Sequence, residues 1–389
     1  MSFIAAIAVL SLAIWVYLLL GRGGFWLAAE RDNAMPPIMA PTGGWPSVTA
    51  VIPARNEADM VPEGLGSLLH QDYPGPFRII LVDDQSDDGT ADVARTTAER
   101  AGRAARLQVL AGRPLPPDWT GKLWAVHQGI AAAAGPEPPR FLLLTDADIA
   151  YDQGALTRLV TRAVTGGDVL TSFMVKLRCD SFAEKLLIPA FVFFFAMLYP
   201  FRWVNRPGHS MAAAAGGSML VDRRALEAAG GIASIRGALI DDCALGARMK
   251  QQGPIWLGLS EKVVSLRPYP DIGDIRRMVA RSAYAQLHYS PLLLAGTVAG
   301  MAATYLAPPA LALLADAPAR WLAATAWAAM TLSFVPFVRY YRLSPLWALT
   351  LPLVALCYLA FTLDSAYQHW RGRGGMWKGR AQALPSEPK

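Results

Sequence analysis

The sequence predicts an α/β domain with a mostly parallel sheet, preceded by one apolar helix and followed by several more. Three observations predict this. From residue 48 to about 260, short apolar runs alternate with helical stretches, a pattern that implies right-handed crossovers and parallel strands. The run 141–144 is apolar without interruption, as befits a strand buried on both faces, and Asp146 and Asp148 follow it at once. Residues 3–20 and the later segments 290–314, 321–338 and 345–363 are apolar over the length that crosses a bilayer.

Composition agrees. The 389 residues are 53% hydrophobic and 17% charged, and both figures depart from a soluble average toward membrane insertion. The formal net charge is +6, with the basic excess gathered in 267–281 and 371–380. Basic clusters beside apolar spans read as contacts with an anionic membrane surface. No basic stripe is interleaved with aromatics in the polar region, so nucleic acid is not an expected partner. Cys179, Cys243 and Cys357 are odd in number and far apart, which points to neither a disulfide framework nor a structural zinc, and fits a reducing, cytosolic face.

Taken in order, 1–21 is an uncleaved anchor. Arg22 and Arg31 come after it and favour a cytoplasmic location for the domain beyond them. Residues 22–47, rich in Pro and Gly from Pro36 to Pro46, form a linker. The α/β domain is expected over 48–270. Its strands are 48–52, 78–82, 107–110, 141–145, a stretch near 168–172, 216–221 and 255–259. Its helices are 58–70, 89–103, 121–134, 152–166 and 241–252. The segment 182–204 is apolar and aromatic and carries Pro189 and Pro200. A single crossing there would part Asp148 from later acids. It is expected to lie against the bilayer surface, with Tyr199 and Trp203 at headgroup level; an ordinary buried core helix stays equally open. Residues 271–289 read as an interfacial basic helix with Arg277, Arg281, Tyr284 and His288 on one face. Membrane helices over 290–364 and a basic tail, 365–389, complete the chain. Three crossings would place the tail opposite the α/β domain, whereas its charge argues for the cytoplasm, so its side stays open.

The chemistry-bearing residues fall at strand ends. Asp146 and Asp148 repel each other, and a divalent cation that also holds a diphosphate would offset this; a solvated acidic turn is the alternative. In open α/β sheets the carboxyl edge is where ligands bind. Residues 82–90 hold a second acidic cluster. Read from Asp84 it fails as a calcium loop, because the twelfth position is Arg95. Asp87 or Asp88 caps the following helix, while Asp84 is suited to accept from a uracil N–H or a ribose hydroxyl. Arg55 and Asn56 sit at the first strand-to-helix turn. Lys122 stands just inside a helix start, where a cation and free N–H groups suit a diphosphate. Gly216 and Gly217 allow close backbone approach. Of Asp241 and Asp242, one can cap the next helix and the other face a cleft as a general base for inverting sugar transfer.

In their order these stretches resemble a membrane-attached family 2 glycosyltransferase of the GT-A fold, over roughly 45–290. They are Ile52-Pro-Ala-Arg-Asn-Glu57, Val82-Asp-Asp-Gln-Ser-Asp87, Gly121-Lys122, Thr145-Asp-Ala-Asp148, Gly216-Gly217 and Asp241-Asp242. The layout is most similar to the hopene-associated glycosyltransferases of hopanoid-producing bacteria, and more distantly to ceramide glucosyltransferases. The resemblance implies inverting, metal-dependent transfer (Mg or Mn) of one sugar from a nucleotide-sugar, foremost a UDP-sugar, to a membrane lipid acceptor related to hopanoids. It implies a multi-pass protein of the inner (cell) membrane with its catalytic domain in the cytoplasm. Asp242 then resembles the catalytic base, with Asp241 in the usual Glu position, and Asp148 the metal ligand. Asp84 resembles the nucleotide-contacting acid, Asp146 the acid beside donor sugar and ribose, and Lys122 the basic residue near the donor. Pro53, Arg55, Glu57 and Arg281 are implied on the donor as well.

One departure bears on the product. Processive and ceramide-type members carry Gln/Arg-x-x-Arg-Trp on an interfacial helix, whereas this chain reads Arg276-Arg-Met-Val-Ala-Arg-Ser282. That favours single-sugar transfer over polymer synthesis. A polyprenyl-phosphate acceptor is the alternative within the same chemistry. A non-catalytic membrane binding protein or a transporter is the alternative outside it, weakened because no candidate span carries an acid or base near its middle. A dinucleotide oxidoreductase fits less well still, since Gly64-Leu-Gly66 lacks the third glycine and lies inside a helical stretch.

Overall fold

The computed structural model describes residues 3–35, 38, 40–372, 376–377 and 380–381. Helix α1 (Phe3–Leu20) is followed by β1 (Val48–Ala54), α2 (Val61–Leu69), β2 (Phe77–Asp83), α3 (Thr90–Arg100), β3 (Leu107–Ala111) and α4 (Gly121–Ala133). Next come β4 (Phe141–Thr145), β5 (Ile149–Tyr151), α5 (Ala155–Gly166), β6 (Leu170–Lys176), α6 (Phe182–Leu198), α7 (Phe201–Val204), β7 (Ser218–Asp222), α8 (Arg223–Ala228), α9 (Asp241–Lys250) and β8 (Ile255–Ser265). The chain continues through α10 (Ile272–Ala280), α11 (Ala283–Gln286), α12 (Pro291–Met301), α13 (Ala307–Leu314), α14 (Ala319–Tyr340) and α15 (Leu351–Trp370). These elements fall into two units.

One unit contains Glu30–Arg178 and Trp203–Pro268. Its eight strands lie in the order β3-β2-β1-β4-β7-β6-β8-β5. Strand β1 pairs in parallel with β2 on one side and β4 on the other. All seven β1 residues and all five β4 residues are buried, which explains the unbroken apolar run 141–144 and why β1 is apolar but for Thr49. The apolar faces of these strands, with Phe173, Leu220 and Trp256, pack against Leu65 and Leu68 of α2 and Leu156, Leu159 and Val160 of α5.

Strands β7 and β5 run against their neighbours. The segment 216–221, read as one more strand of a mostly parallel set, is therefore a reversed strand. It enters the sheet from the carboxyl edge, which brings Gly216 and Gly217 to the same edge as the end of β4. Strand β8 runs six residues past the expected end at 259, and that extension pairs with the three-residue β5. Alternation of type in so short a strand carries too little signal to be read from sequence.

The strand order reverses about β1, and β1 and β4 stay paired only as far as Val51 and Leu144. Their free ends frame a crevice at the carboxyl edge. Pro53 lies beyond that last pair, where the missing N–H breaks no β1–β4 ladder bond. Helix α2 reaches the loop after β4 closely: a Cβ on Gly64 would stand 2.3 Å from the Ala147 carbonyl oxygen. That oxygen is backbone and belongs to the turn between Asp146 and Asp148. Gly64→Ala is expected to destabilise the domain by about 1–3 kcal/mol, as overpacking does, measured by urea unfolding.

The other unit contains residues 1–29, Cys179–Arg202 and Tyr269–Gly374. Among the described residues, five helical stretches are long and apolar enough to cross a membrane: Phe3–Leu20, Phe182–Val204, Pro291–Leu314, Ala319–Tyr340 and Pro345–Trp370. The segment 182–204 is thus a helical stretch of spanning length, interrupted at Tyr199 and Pro200. Its start is set by a capping box, in which Ser181 Oγ accepts from Glu184 N while Glu184 Oε2 accepts from Ser181 N. The other oxygen of Glu184 accepts from Tyr269 N at 2.7 Å.

Residues 302–306 form a π-turn between α12 and α13. Pro308 and Pro309 come next and have no N–H to return to the preceding turn. The carbonyls of Ala303 and Thr304 are instead met by α1, where Ser11 Oγ donates to Ala303 O at 2.7 Å and Trp15 Nε1 to Thr304 O at 2.8 Å.

The expected single helix over 271–289 is broken. Asp271 caps α10, accepting from Asp274 N. After Ala280 the hydroxyl of Ser365 enters the ladder, accepting from Tyr284 N at 3.0 Å and donating to Ala280 O. It thus takes both partners of the bond a continuous helix would make there. Helix α11 is four residues long, and His288 and Tyr289 adopt left-handed φ of 50° and 56°. Tyr284 is buried and donates to Tyr289 O, so Arg277, Arg281, Tyr284 and His288 do not share one face.

Candidate active site

The crevice gathers one lysine and three aspartates. Thr120 caps α4 and sets Lys122 in its first turn. Asp146 leaves the end of β4, and Asp241 and Asp242 open α9. Lys122 Nζ lies 2.9 Å from Asp146 Oδ1 and 3.3 Å from Asp241 Oδ2. Asp242 is held by backbone donors: its Oδ2 accepts from Gly216 N at 2.9 Å and its Oδ1 from Cys243 N at 2.7 Å. A Cβ on Gly216 would stand 3.4 Å from Asp242 Oδ2 and 3.5 Å from Lys122 Nζ, so the bare backbone keeps this corner open. Pro53, Leu123 and Ile235 line the same hollow.

The electrostatics arise from this crowding. Burial, and then the adjacent Asp241, push the Asp242 carboxyl up from 3.8 to about 6, against the pull of Lys122 and the two N–H donors. Burial also raises Asp146, with Lys122 opposing and Asp148 adding to the rise. For Lys122, burial favours the neutral amine, but Asp146 and Asp241 outweigh it and hold the ammonium above its ordinary range. A carboxylate poised near neutrality is suited to take a proton.

Asp148 stands in a second cluster. Arg267, two residues beyond β8, donates from Nε to Asp148 Oδ2 and from Nη2 to Glu57 Oε1, each at 2.7 Å. The backbone is pinned too, Leu266 N donating to Asp148 O at 2.8 Å. Glu57, expected on the donor, thus directs its carboxylate to an arginine. Its N–H donates to Thr90 Oγ1.

Arg55 lies at the end of β1 and donates to the backbone carbonyls of Asp84 and Gln85, tying that turn to the loop after β2. Asn56 and Gln85 both take left-handed φ, 51° and 57°. Asp84 is fully buried at the carboxyl end of β2. Asp88 accepts from Ala58 N and Thr90 N, but the N-cap position of α3 is Gly89, so neither Asp87 nor Asp88 is the cap residue expected from the sequence. Trp119 and Trp124 pack on each other and on His127. Arg281 belongs to the other unit, where it is an exposed residue closing α10.

The structure therefore brings together Lys122, Asp146, Asp241 and Asp242, and separately Glu57 and Asp148. Sequence reasoning missed Arg267. Its signal was the position of the first charge in the basic stretch 267–281, two residues past the end of β8. Among the described residues no group of three or more His, Cys, Asp and Glu side chains is arranged to hold a metal ion. Asp148, with Oδ2 engaged by Arg267, fits a hard cation that takes its remaining ligands from a diphosphate and water.

Residues 49–230 match the family described as glycosyl transferase family 2. This segment is a family 2 glycosyltransferase domain. A solved mannosyltransferase from Pyrobaculum calidifontis, in complex with GDP-Man and Mn2+, is similar to the chain with a TM-score of 0.57 at 19% identity, covering 93% of this chain and 99% of that one. The fold is accordingly GT-A-like, α/β with a mostly parallel sheet. An uncharacterized glycosyltransferase of Mycobacterium tuberculosis is 33% identical over 125 residues, which is 32% of this chain and 47% of that protein. An undecaprenyl-phosphate 4-deoxy-4-formamido-L-arabinose transferase of Pseudomonas aeruginosa is 31% identical over 136 residues, 34% of this chain and 37% of that protein. The chain thus spans less than half the length of these curated relatives. The glycosyltransferase domain carries Lys122, Asp146, Asp148 and Gly216 within the matched residues, whereas Asp241, Asp242 and Arg267 lie beyond them.

Proposed function

We propose that the chain transfers a single sugar, with inversion, from a nucleotide-sugar to the hydroxyl of a membrane lipid, with Asp242 as the base. The observation that carries this is the half-buried Asp242 carboxylate, raised to about 6 and aimed by Gly216 N–H beside Lys122. A base is needed where a neutral hydroxyl attacks the anomeric carbon, because its proton must leave as the bond forms. Asp242 takes that proton. Lys122, carried on the first turn of α4, faces the charge that builds as the glycosidic bond to the diphosphate breaks. Asp146, fixed by Lys122, is placed to accept from hydroxyls of the donor sugar and ribose. The nucleoside is assigned to the carboxyl end of β2, where the family resemblance implies Asp84 as its acid. A divalent cation, Mg or Mn, held by Asp148 and the diphosphate would neutralise the leaving group. The bound GDP-Man and Mn2+ of the Pyrobaculum mannosyltransferase support a donor of this class.

The five apolar helices support a lipid acceptor and a multi-pass protein of the inner membrane, with the domain on the cytoplasmic side. The overall layout motivates a hopanoid-related acceptor. The test is mass spectrometry of membrane lipids with and without the protein, followed by transfer assays with the glycolipid so found. An unchanged lipid profile, together with no turnover of UDP- or GDP-sugars, rejects the proposal.

A second reading has its own support, since the Pseudomonas relative is named for transfer to undecaprenyl phosphate. A phosphate acceptor is already ionised and has little need of a base. Near-normal transfer by Asp242→Asn would select it. On either reading Asp148→Ala is expected to lose the cation-dependent part of donor binding, roughly tenfold or more in affinity by calorimetry; intact cation-dependent binding would remove Asp148 as the ligand.

A further inference from the structure

We infer that Arg267 is the resident counter-ion of the donor site, and that its hold on Asp148 makes divalent cation binding depend on the nucleotide diphosphate. The inference rests on the nucleotide-sugar reading above. Three observations lead to it.

First, the carboxylates nearest the expected diphosphate are already matched with cations. Asp146 and Asp241 share Lys122, at 2.9 and 3.3 Å, and Asp148 accepts from Arg267 at 2.7 Å. A bare divalent cation at Asp148 would meet a carboxylate already paired and an arginine that repels it. Second, Arg267 is not held by Asp148 alone. Its other arm is fixed on Glu57 at 2.7 Å, and both carboxylates are largely buried, 10% and 11% exposed against 31% for Arg267. The guanidinium therefore has somewhere to stay when Asp148 changes partner, because Glu57 retains it. Third, the Asp148 main chain is fixed independently by Leu266 N and by the β5–β8 pairing next to it. A change of partner at the side chain need not move the loop.

A diphosphate alters this balance. It brings anionic oxygens that pair with Lys122 and with the exposed edge of Arg267. That lowers the net positive charge facing Asp148 and supplies the further oxygens a small hard cation requires. Cation and nucleotide each make room for the other, and the linkage is reciprocal. Glu57 on this account is a positioning residue that acts through Arg267.

The experiment is calorimetric titration of MnCl2 into the full-length purified protein, alone and with saturating UDP or GDP. For the unaltered protein, the nucleotide is expected to tighten Mn2+ binding by about 50- to 150-fold, near the upper end of common coupling factors. In Arg267→Gln the factor is expected to fall below about 5-fold, chiefly because Mn2+ alone binds better once the competing charge is gone. Arg267→Lys should keep an intermediate factor. Glu57→Gln, which leaves Arg267 in place but loosens it, should also give an intermediate factor, and it stands in if Arg267→Gln does not fold by urea unfolding. Coupling that stays unchanged in Arg267→Gln, or in Glu57→Gln when that variant stands in, overturns the inference and leaves the transferase reading intact. Tight Mn2+ binding to the unaltered protein without nucleotide does the same. Absence of UDP and GDP binding in every form overturns both.

Discussion

Asp242→Asn is expected to slow transfer to a hydroxyl acceptor by about 10²–10⁴-fold, the usual contribution of a general base. The amide keeps the size of the carboxylate but cannot take a proton. It can also accept from only one of Gly216 N and Cys243 N through its single oxygen. The pH profile separates loss of a base from loss of fit. With Asp242 at about 6, kcat/KM should rise through an acid limb near that pH, and the limb should vanish in the Asn variant. Stability carries the opposite signature. The folded carboxyl is raised above its ordinary 3.8, so its contribution is fully present below that value and is lost as pH rises through about 6. Thermal unfolding between pH 4 and 7 should show this decline in the native chain and its absence in Asp242→Asn. A surviving acid limb in the variant would assign the titration to another group.

Lys122→Met is expected to do more damage to the fold and somewhat less to the chemistry. It leaves Asp146, Asp241 and Asp242 together without their shared cation. Stripping one partner from a buried ion pair costs about 3–5 kcal/mol. Here about 2–4 kcal/mol is expected, because the Asp146 side chain is 35% exposed and water screens part of the repulsion. The acid limb should move upward from about 6, since Lys122 lowers the Asp242 value. Transfer should fall by roughly 10²–10³-fold as the positive charge facing the leaving diphosphate is removed. Lys122→Arg should recover most of the stability. An unchanged acid limb in Lys122→Met would mean that the lysine does not govern Asp242.

How far the sequence spoke depended on whether a feature was local. The buried runs of β1 and β4 and the acids at their ends are local, and so is the Lys122 helix start; all were legible from apolar patterning and spacing. The reversed direction of β7 was not, because alternation in a five-residue strand does not encode orientation. The pairing of Asp148 with Arg267 joins residues 119 positions apart, and no local pattern records it. The helix expected through 271–289 had the right periodicity and failed because of a hydroxyl from Ser365, far along the chain. Gly64-Leu-Gly66 is no nucleotide motif, as its spacing indicates. Its first glycine has another purpose, giving the Ala147 carbonyl room between the two acids.

The π-turn after α12 gives the first helix a hydrogen-bonding role as well as an apolar one. Two carbonyls left by Pro308 and Pro309 are satisfied by donors on that helix, at Ser11 and Trp15. A generic leucine-rich replacement would be hydrophobic enough to insert, yet it would leave both oxygens stranded in a nonaqueous interior. Swapping this segment between proteins should therefore fail unless a hydroxyl and an indole, or equivalent donors, are restored at the same two depths.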